Sequence, residues 1–94
     1  MIKVNENELK SVINKFSSYP IKIVVDGVLT GKIEFNNCIC KYESRSGNIE
    51  IKDIHMKNIL NIETALVYKI LRDTEFKVLE LYIDYDLKIK IEKM

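Results

Sequence analysis

The chain opens with apolar residues at helical spacing. Leu9, Val12, Ile13 and Phe16 fall at i, i+3, i+4 and i+7 and form one stripe. Asn5 or Asn7 can cap the first turn, and Glu6 and Glu8 lie where the helix dipole favours negative charge. Pro20 disfavours helical geometry in the residue before it, so the spacing predicts a helix over about 6–17. Lys10, Ser11, Asn14 and Lys15 are expected on its wet side.

From Ile21 the period changes to two, the period of a strand with one buried face. Ile21, Ile23 and Val25 alternate with Lys22, Val24 and Asp26 up to the turn pair Asp26-Gly27. Leu29, Gly31, Ile33 and Phe35 share the next face, and Asn36-Asn37 supplies a turn. A third strand sets Cys38, Cys40 and Tyr42 against Ile39, Lys41 and Glu43, with the thiols on the buried side. Arg45-Ser46-Gly47 leads into a fourth strand with Ile49 and Ile51 inward and Glu50 and Lys52 outward. Residues 21–54 thus read as a β-meander.

Residues 56–71 fit two patterns. Ile59, Ile62, Leu66 and Ile70 match a helical stripe that Asn61 could cap. Leu66, Tyr68 and Ile70 also alternate with Val67, Lys69 and Leu71, as in a strand buried on both faces, and the strand reading is preferred. Arg72-Asp73-Thr74 reads as a turn and Phe76–Ile83 as a strand. Asp84-Tyr85-Asp86 reads as another turn, followed by a last strand with Leu87, Ile89 and Ile91 inward; together these make C-terminal strands over about 76–93. Lys88, Lys90 and Glu92 are read as guards against edge-to-edge pairing of that last strand. The expected architecture is α+β: one domain over residues 1–94, with an N-terminal helix on an antiparallel sheet of six or seven strands. A sheet of that size can curl into a barrel.

Composition narrows the function classes. Ninety-four residues suffice for one core, and 47% apolar with 31% charged residues predicts a folded chain. Ile, Lys and Asn number 15, 13 and 8, against two Arg and one Ala, the skew of AT-rich codons and so of a low-GC genome. Lysines alternate with acids and the net charge is +1, so no polybasic face for nucleic acid emerges. Lys41 and Tyr42 come nearest to the stacking-plus-cation pattern of single-strand binders, and they point to opposite faces. No apolar run approaches the ~18 residues of a membrane span. The opening MIKVNENELK is too polar for a signal-peptide core, which makes the cytoplasm the expected compartment.

Candidate chemistry is sparse. His55 is the only imidazole, and no nucleophile elbow, zinc-protease motif or phosphate-binding glycine loop occurs. Cys38 and Cys40 share a strand face, too far apart along an extended backbone for good disulfide geometry, and read as free buried thiols. No catalytic residue, metal site or cofactor is expected. Arg45 and Arg72 stand out in a Lys-rich chain, both in expected turns, because a guanidinium offers a bidentate fork that Lys lacks. Tyr82 and Tyr85 flank an acidic turn with Asp84 and could anchor an interface.

These residues, Arg45, Arg72, Tyr82, Asp84 and Tyr85, are the candidate binding set. The leading expectation is a non-enzymatic protein-binding module, a small inhibitor or accessory protein of a low-GC bacterium or its phage. Its partner would be a protein, another copy of the chain included, met through a strand edge or the Tyr82–Asp86 turn. The alternatives are a binder of a small, nucleotide-like anion gripped by Arg45 and Arg72, and a structural homo-oligomer.

Overall fold

The computed structural model of the chain describes residues 1–27, 30–55, 58–84 and 87–94, the side chain of Asp84 excepted. In chain order the elements are β1 (Ile2–Lys3), α1 (Glu6–Asn14), β2 (Ile21–Gly27), β3 (Gly31–Phe35), β4 (Cys38–Glu43) and β5 (Asn48–Asp53). They continue with β6 (Ile59–Glu63), a 3-10 turn (Thr64–Leu66), β7 (Lys69–Arg72), β8 (Val78–Asp84) and β9 (Leu87–Lys93). Among the described residues the strands form two antiparallel sheets rather than one. The larger runs β1-β7-β8-β9-β2-β3, the smaller β4-β5-β6, and neither closes into a barrel. The α+β class stands; the single long sheet does not.

The chain changes sheets at Asn36-Asn37. β2 and β3 form a hairpin, but β3 does not pair with β4. The two-residue bend is a corner that carries the chain from one sheet to the other, so residues 21–54 are not a continuous meander. Phe35 ends one sheet and Cys38 begins the other, and both are buried, at 2% and 1% exposure. Splitting the sheet lets the apolar faces of both sheets cover each other, which one flat sheet with a single short helix could not do.

Helix α1 buries Leu9, Val12 and Ile13, and its first turn is closed by the Asn5 N–H donating to Glu8 Oε1 at 2.9 Å. It stops at Asn14, short of the expected 17. The N–H groups of Lys15, Phe16 and Ser17 bond carbonyls three residues back, tightening the chain into a turn. Ser18 then takes a left-handed φ of 69° and donates its N–H to Cys38 O at 2.8 Å. Phe16 remains in the core, so the apolar stripe outlasts the helix.

Residues 59–72 resolve as two strands joined by one 3-10 turn. A helix over this stretch is excluded, and so is a strand buried on both faces: Leu66 and Tyr68 are 60% and 58% exposed. Arg72 is the last residue of β7 rather than a turn residue, and β8 starts at Val78 rather than Phe76. The last strand, β9, is no edge. It lies between β8 and β2, so Lys88, Lys90 and Glu92 cover a solvated face instead of guarding an edge. β1 was not legible, because two residues carry no period. The core joins α1 (Leu9, Ile13) to the inner faces of the larger sheet (Ile23, Leu81) and of the smaller one (Ile49, Ile51). Each such side chain contributes roughly 1.5–3 kcal/mol by leaving water.

Candidate functional site

Sheet edges are the natural binding features of this fold, since an edge strand presents unpaired N–H and C=O groups. Three of the four edges are short, charged or covered. β1 spans two residues. β3 carries Lys32, ion-paired to Glu34 at 3.2 Å. The open side of β4 is closed by the chain after α1. Ser17 Oγ accepts the Cys40 N–H at 2.6 Å and donates to Cys40 O at 3.1 Å, beside the Ser18 contact to Cys38 O.

The fourth edge is β6, with sequence Ile-Leu-Asn-Ile-Glu and no Lys, Arg or Pro. Its register fixes which groups it offers. Beyond the two ends of the β5–β6 ladder, Asp53 donates to Asn58 O and Thr64 donates to Gly47 O. Hydrogen-bonded pairs alternate along an antiparallel ladder, so Ile49↔Ile62 and Ile51↔Leu60 are bonded pairs. The backbone groups of Ile59, Asn61 and Glu63 therefore face outward, away from β5. No described strand meets them.

An apolar patch adjoins this edge. Ile39, Lys52 and Ile59 lie in one row across the outer face of the smaller sheet. Ile39 and Ile59 are 43% and 55% exposed, as is Ile54 (55%) just past the end of β5. Leu60 on the inner side is half-buried. Asn48 Nδ2 donates to Asn61 Oδ1 at 3.0 Å and holds the middle of the edge.

The residues singled out from sequence do not converge. Arg45 is exposed in the β4–β5 turn. Arg72 belongs to the other sheet and is turned inward, its guanidinium 4.1 Å from the Phe76 ring centroid and donating to Asp73 O at 2.9 Å. Its buried Nε meets no hydrogen-bond partner among the described residues. Tyr82 lies on the outer face of the larger sheet, with Lys69 Nζ 4.3 Å over its ring and its hydroxyl donating to Glu80 Oε1 at 3.2 Å. Partial burial, with the Glu80 carboxylate, holds that phenol above its ordinary range. Asp84 ends β8; its side chain and the whole of Tyr85 lie outside the described residues.

A second feature gathers residues that the sequence did not single out. Phe76 has Lys15 Nζ 4.5 Å from its ring centroid, and Lys93 Nζ lies 4.0 Å over the Tyr19 ring. Between them opens a shallow groove of about 390 Å³ lined by Lys15, Ser17, Tyr19, Glu75, Phe76 and Lys93. Phe76 adopts φ 57°, a strained conformation for a bulky residue. These residues come from three separate stretches of chain, and no local pattern could have joined them.

The two thiols are closer than an extended strand suggested. Cys38 Sγ and Cys40 Sγ share a hydrogen bond at 3.6 Å, and Cys38 Sγ also reaches Phe16 O and Tyr19 O at 3.3 Å. The shared S–H···S bond, with burial, pushes Cys40 far up, and the same bond lowers Cys38. Among the described residues no three His, Cys, Asp or Glu side chains cluster, and no helix is long and apolar enough to cross a membrane. Comparison of the chain with protein-family models, curated proteins and solved structures finds no match.

Proposed function

We propose that this chain is a non-enzymatic protein-binding module, a small inhibitor or accessory protein, that takes an extended segment of its partner onto the open edge of β6. The observation that carries this reading is the outward row of Ile59, Asn61 and Glu63 backbone groups beside the exposed side chains of Ile39 and Ile59. Strand addition draws affinity from main-chain hydrogen bonds and specificity from alternate side chains. The edge supplies the first and the isoleucine row the second. Tyr82 and Asp84, on β8, are not needed for this mode.

The test is affinity capture from a cell lysate with the wild-type chain and with Ile59→Lys, which places a charge on the edge as natural edge strands do. The wild type recovers a stoichiometric protein and the variant recovers at least about tenfold less, a loss of ~1.4 kcal/mol. Equal recovery by both proteins rejects the β6 edge as the site, and recovery by neither, in a chain that also does not associate with itself, rejects the reading.

The groove at Phe76 favours a second reading, binding of a small nucleotide-like anion, because it sets two lysines beside two aromatic rings. The cations are then Lys15 and Lys93 instead of the Arg45–Arg72 pair. A nucleotide panel raises the melting temperature of the wild type but not of Lys15→Ala with Lys93→Ala. No shift with any nucleotide removes this reading.

A further inference from the structure

The protein-binding reading leaves the partner open, and the register of β6 narrows it. We propose that the strand that fits this edge is β6 of a second copy of the chain, paired antiparallel about a two-fold axis through Asn61. The inference rests on the strand-addition reading and adds the identity of the partner.

The outward groups sit at Ile59, Asn61 and Glu63, evenly spaced about Asn61. An antiparallel copy centred there faces Asn61 with Asn61, Ile59 with Glu63 of the second copy, and Glu63 with its Ile59. In each of these pairs both residues point N–H and C=O at one another, so every pair exchanges two bonds. Sliding the copy by two residues either way leaves an outward residue at each end without a mate. Sliding it by four in one direction sets Glu63 against Glu63, where like charges repel. The centred register alone uses the whole edge.

Side chains agree with that register. On the outer face Glu63 of one copy lies beside Ile59 of the other, in the same row as its Lys52. Glu63 can then reach the Lys52 ammonium, which Glu50 already bridges at 3.5 Å within its own copy, over Ile59, once on each side of the axis, and cover that exposed side chain. On the inner face Leu60, half-buried in one copy, lies opposite Ile62 of the other, so the two apolar faces become continuous. The three-stranded sheets join into one sheet of six, with no edge left at β6. Five residues of pairing cover well under the roughly 800 Å² per partner of a stable complex, so the dimer is weak and concentration-dependent.

The test is sedimentation of the full chain from about 10 μM to about 1 mM, the range in which such an edge contact would associate. Amide hydrogen exchange is read at both ends of that range. The mass should climb from 11.0 kDa toward twice that value. The amides of Ile59, Asn61 and Glu63 should gain protection with concentration, while those of Leu60 and Ile62 stay protected throughout. Asn61→Pro removes the central donor, and with it the side-chain bond from Asn48, but leaves the backbone ladder to β5 in place, because that N–H points outward. It should weaken the dimer at least about tenfold while leaving the circular dichroism spectrum unchanged. Should that variant not fold, Glu63→Lys, which sets a second ammonium beside Lys52 of the other copy, gives the same readout.

A monomer at every concentration overturns the self-pairing. So does a dimer insensitive to these substitutions, or one that protects other amides. If the chain is monomeric yet captures another protein that Ile59→Lys loses, the edge reading stands and only the identity of the partner falls.

Discussion

At the scale of single residues, the turn after β4 shows how one position can commit a loop. Gly47 has φ 67°, and a Cβ built there would lie 2.9 Å from Thr64 Oγ1. That hydroxyl donates to Gly47 O at 2.8 Å, beside the Thr64 N–H at 2.7 Å, so it has little room to give. Gly47→Ala should therefore cost about 1–3 kcal/mol, the left-handed penalty plus displacement of Thr64, read as a lower urea midpoint at unchanged slope. Arg-Ser-Gly was legible as a turn because glycine tolerates this conformation. Phe76 gave no such warning. Its φ of 57° is held by tertiary contacts with Arg72 and Lys15, and its apolar ring reads in sequence as the start of a strand. The thiols fall between these cases. Their common face follows from the period of two, whereas their contact with the turn after α1 depends on where the helix packs.

At the scale of elements, alternation assigns faces and leaves neighbours undecided. Lys88, Lys90 and Glu92 read equally well as guards of an edge and as the wet face of a central strand. Pairing decides it: β9 lies between β8 and β2, and Glu92 is bridged by Lys90 at 2.8 Å and by Lys22 on β2 at 3.3 Å. The Lys90 contact, opposed by partial burial and aided by Lys22, lowers the Glu92 carboxyl below its ordinary 4.5. Between that lowered value and 4.5 the unfolded chain binds more protons than the native one. The stabilisation is therefore present above pH 4.5 and lost as pH falls through the native value. Glu92 keeps partial solvent access, so Glu92→Gln should destabilise by only about 0.5–1 kcal/mol at pH 7. The difference should vanish in denaturant titrations repeated at a pH below that native value. A difference that persists in acid would assign the effect to packing.

At the scale of the whole molecule, the two sheets and the helix share one core, and the corner at Asn36-Asn37 is where that sharing is built. Phe35, 2% exposed, ends the larger sheet beside the corner. Phe35→Ala should cost about 3–5 kcal/mol. Backbone dichroism and accessibility of the Cys38–Cys40 thiols should still change in one coincident transition, since the sheets have no separate cores. Two separated transitions would show that the smaller sheet melts independently. The open β6 edge is likewise a property of the assembled molecule. Ile59 and Ile62 match a helical stripe, and nothing local marks β6 as the strand that no described strand meets on its outer side.

The chain's own pattern fixed the helix start, most strand positions and the inward side chains Cys38, Cys40, Tyr42, Ile49 and Ile51, because periods of 3.6 and two are local and written in consecutive residues. Tertiary structure alone decided the rest. It made Asn36-Asn37 a corner instead of a hairpin, set β9 at the centre of its sheet, turned Arg72 inward onto Phe76 and, among the described residues, left the edge of β6 open. Each of these depends on which distant strand lies alongside, a choice made by burial of the joint core and by hydrogen bonds between segments far apart in sequence. Alternation within one strand is the same whichever neighbour that strand acquires.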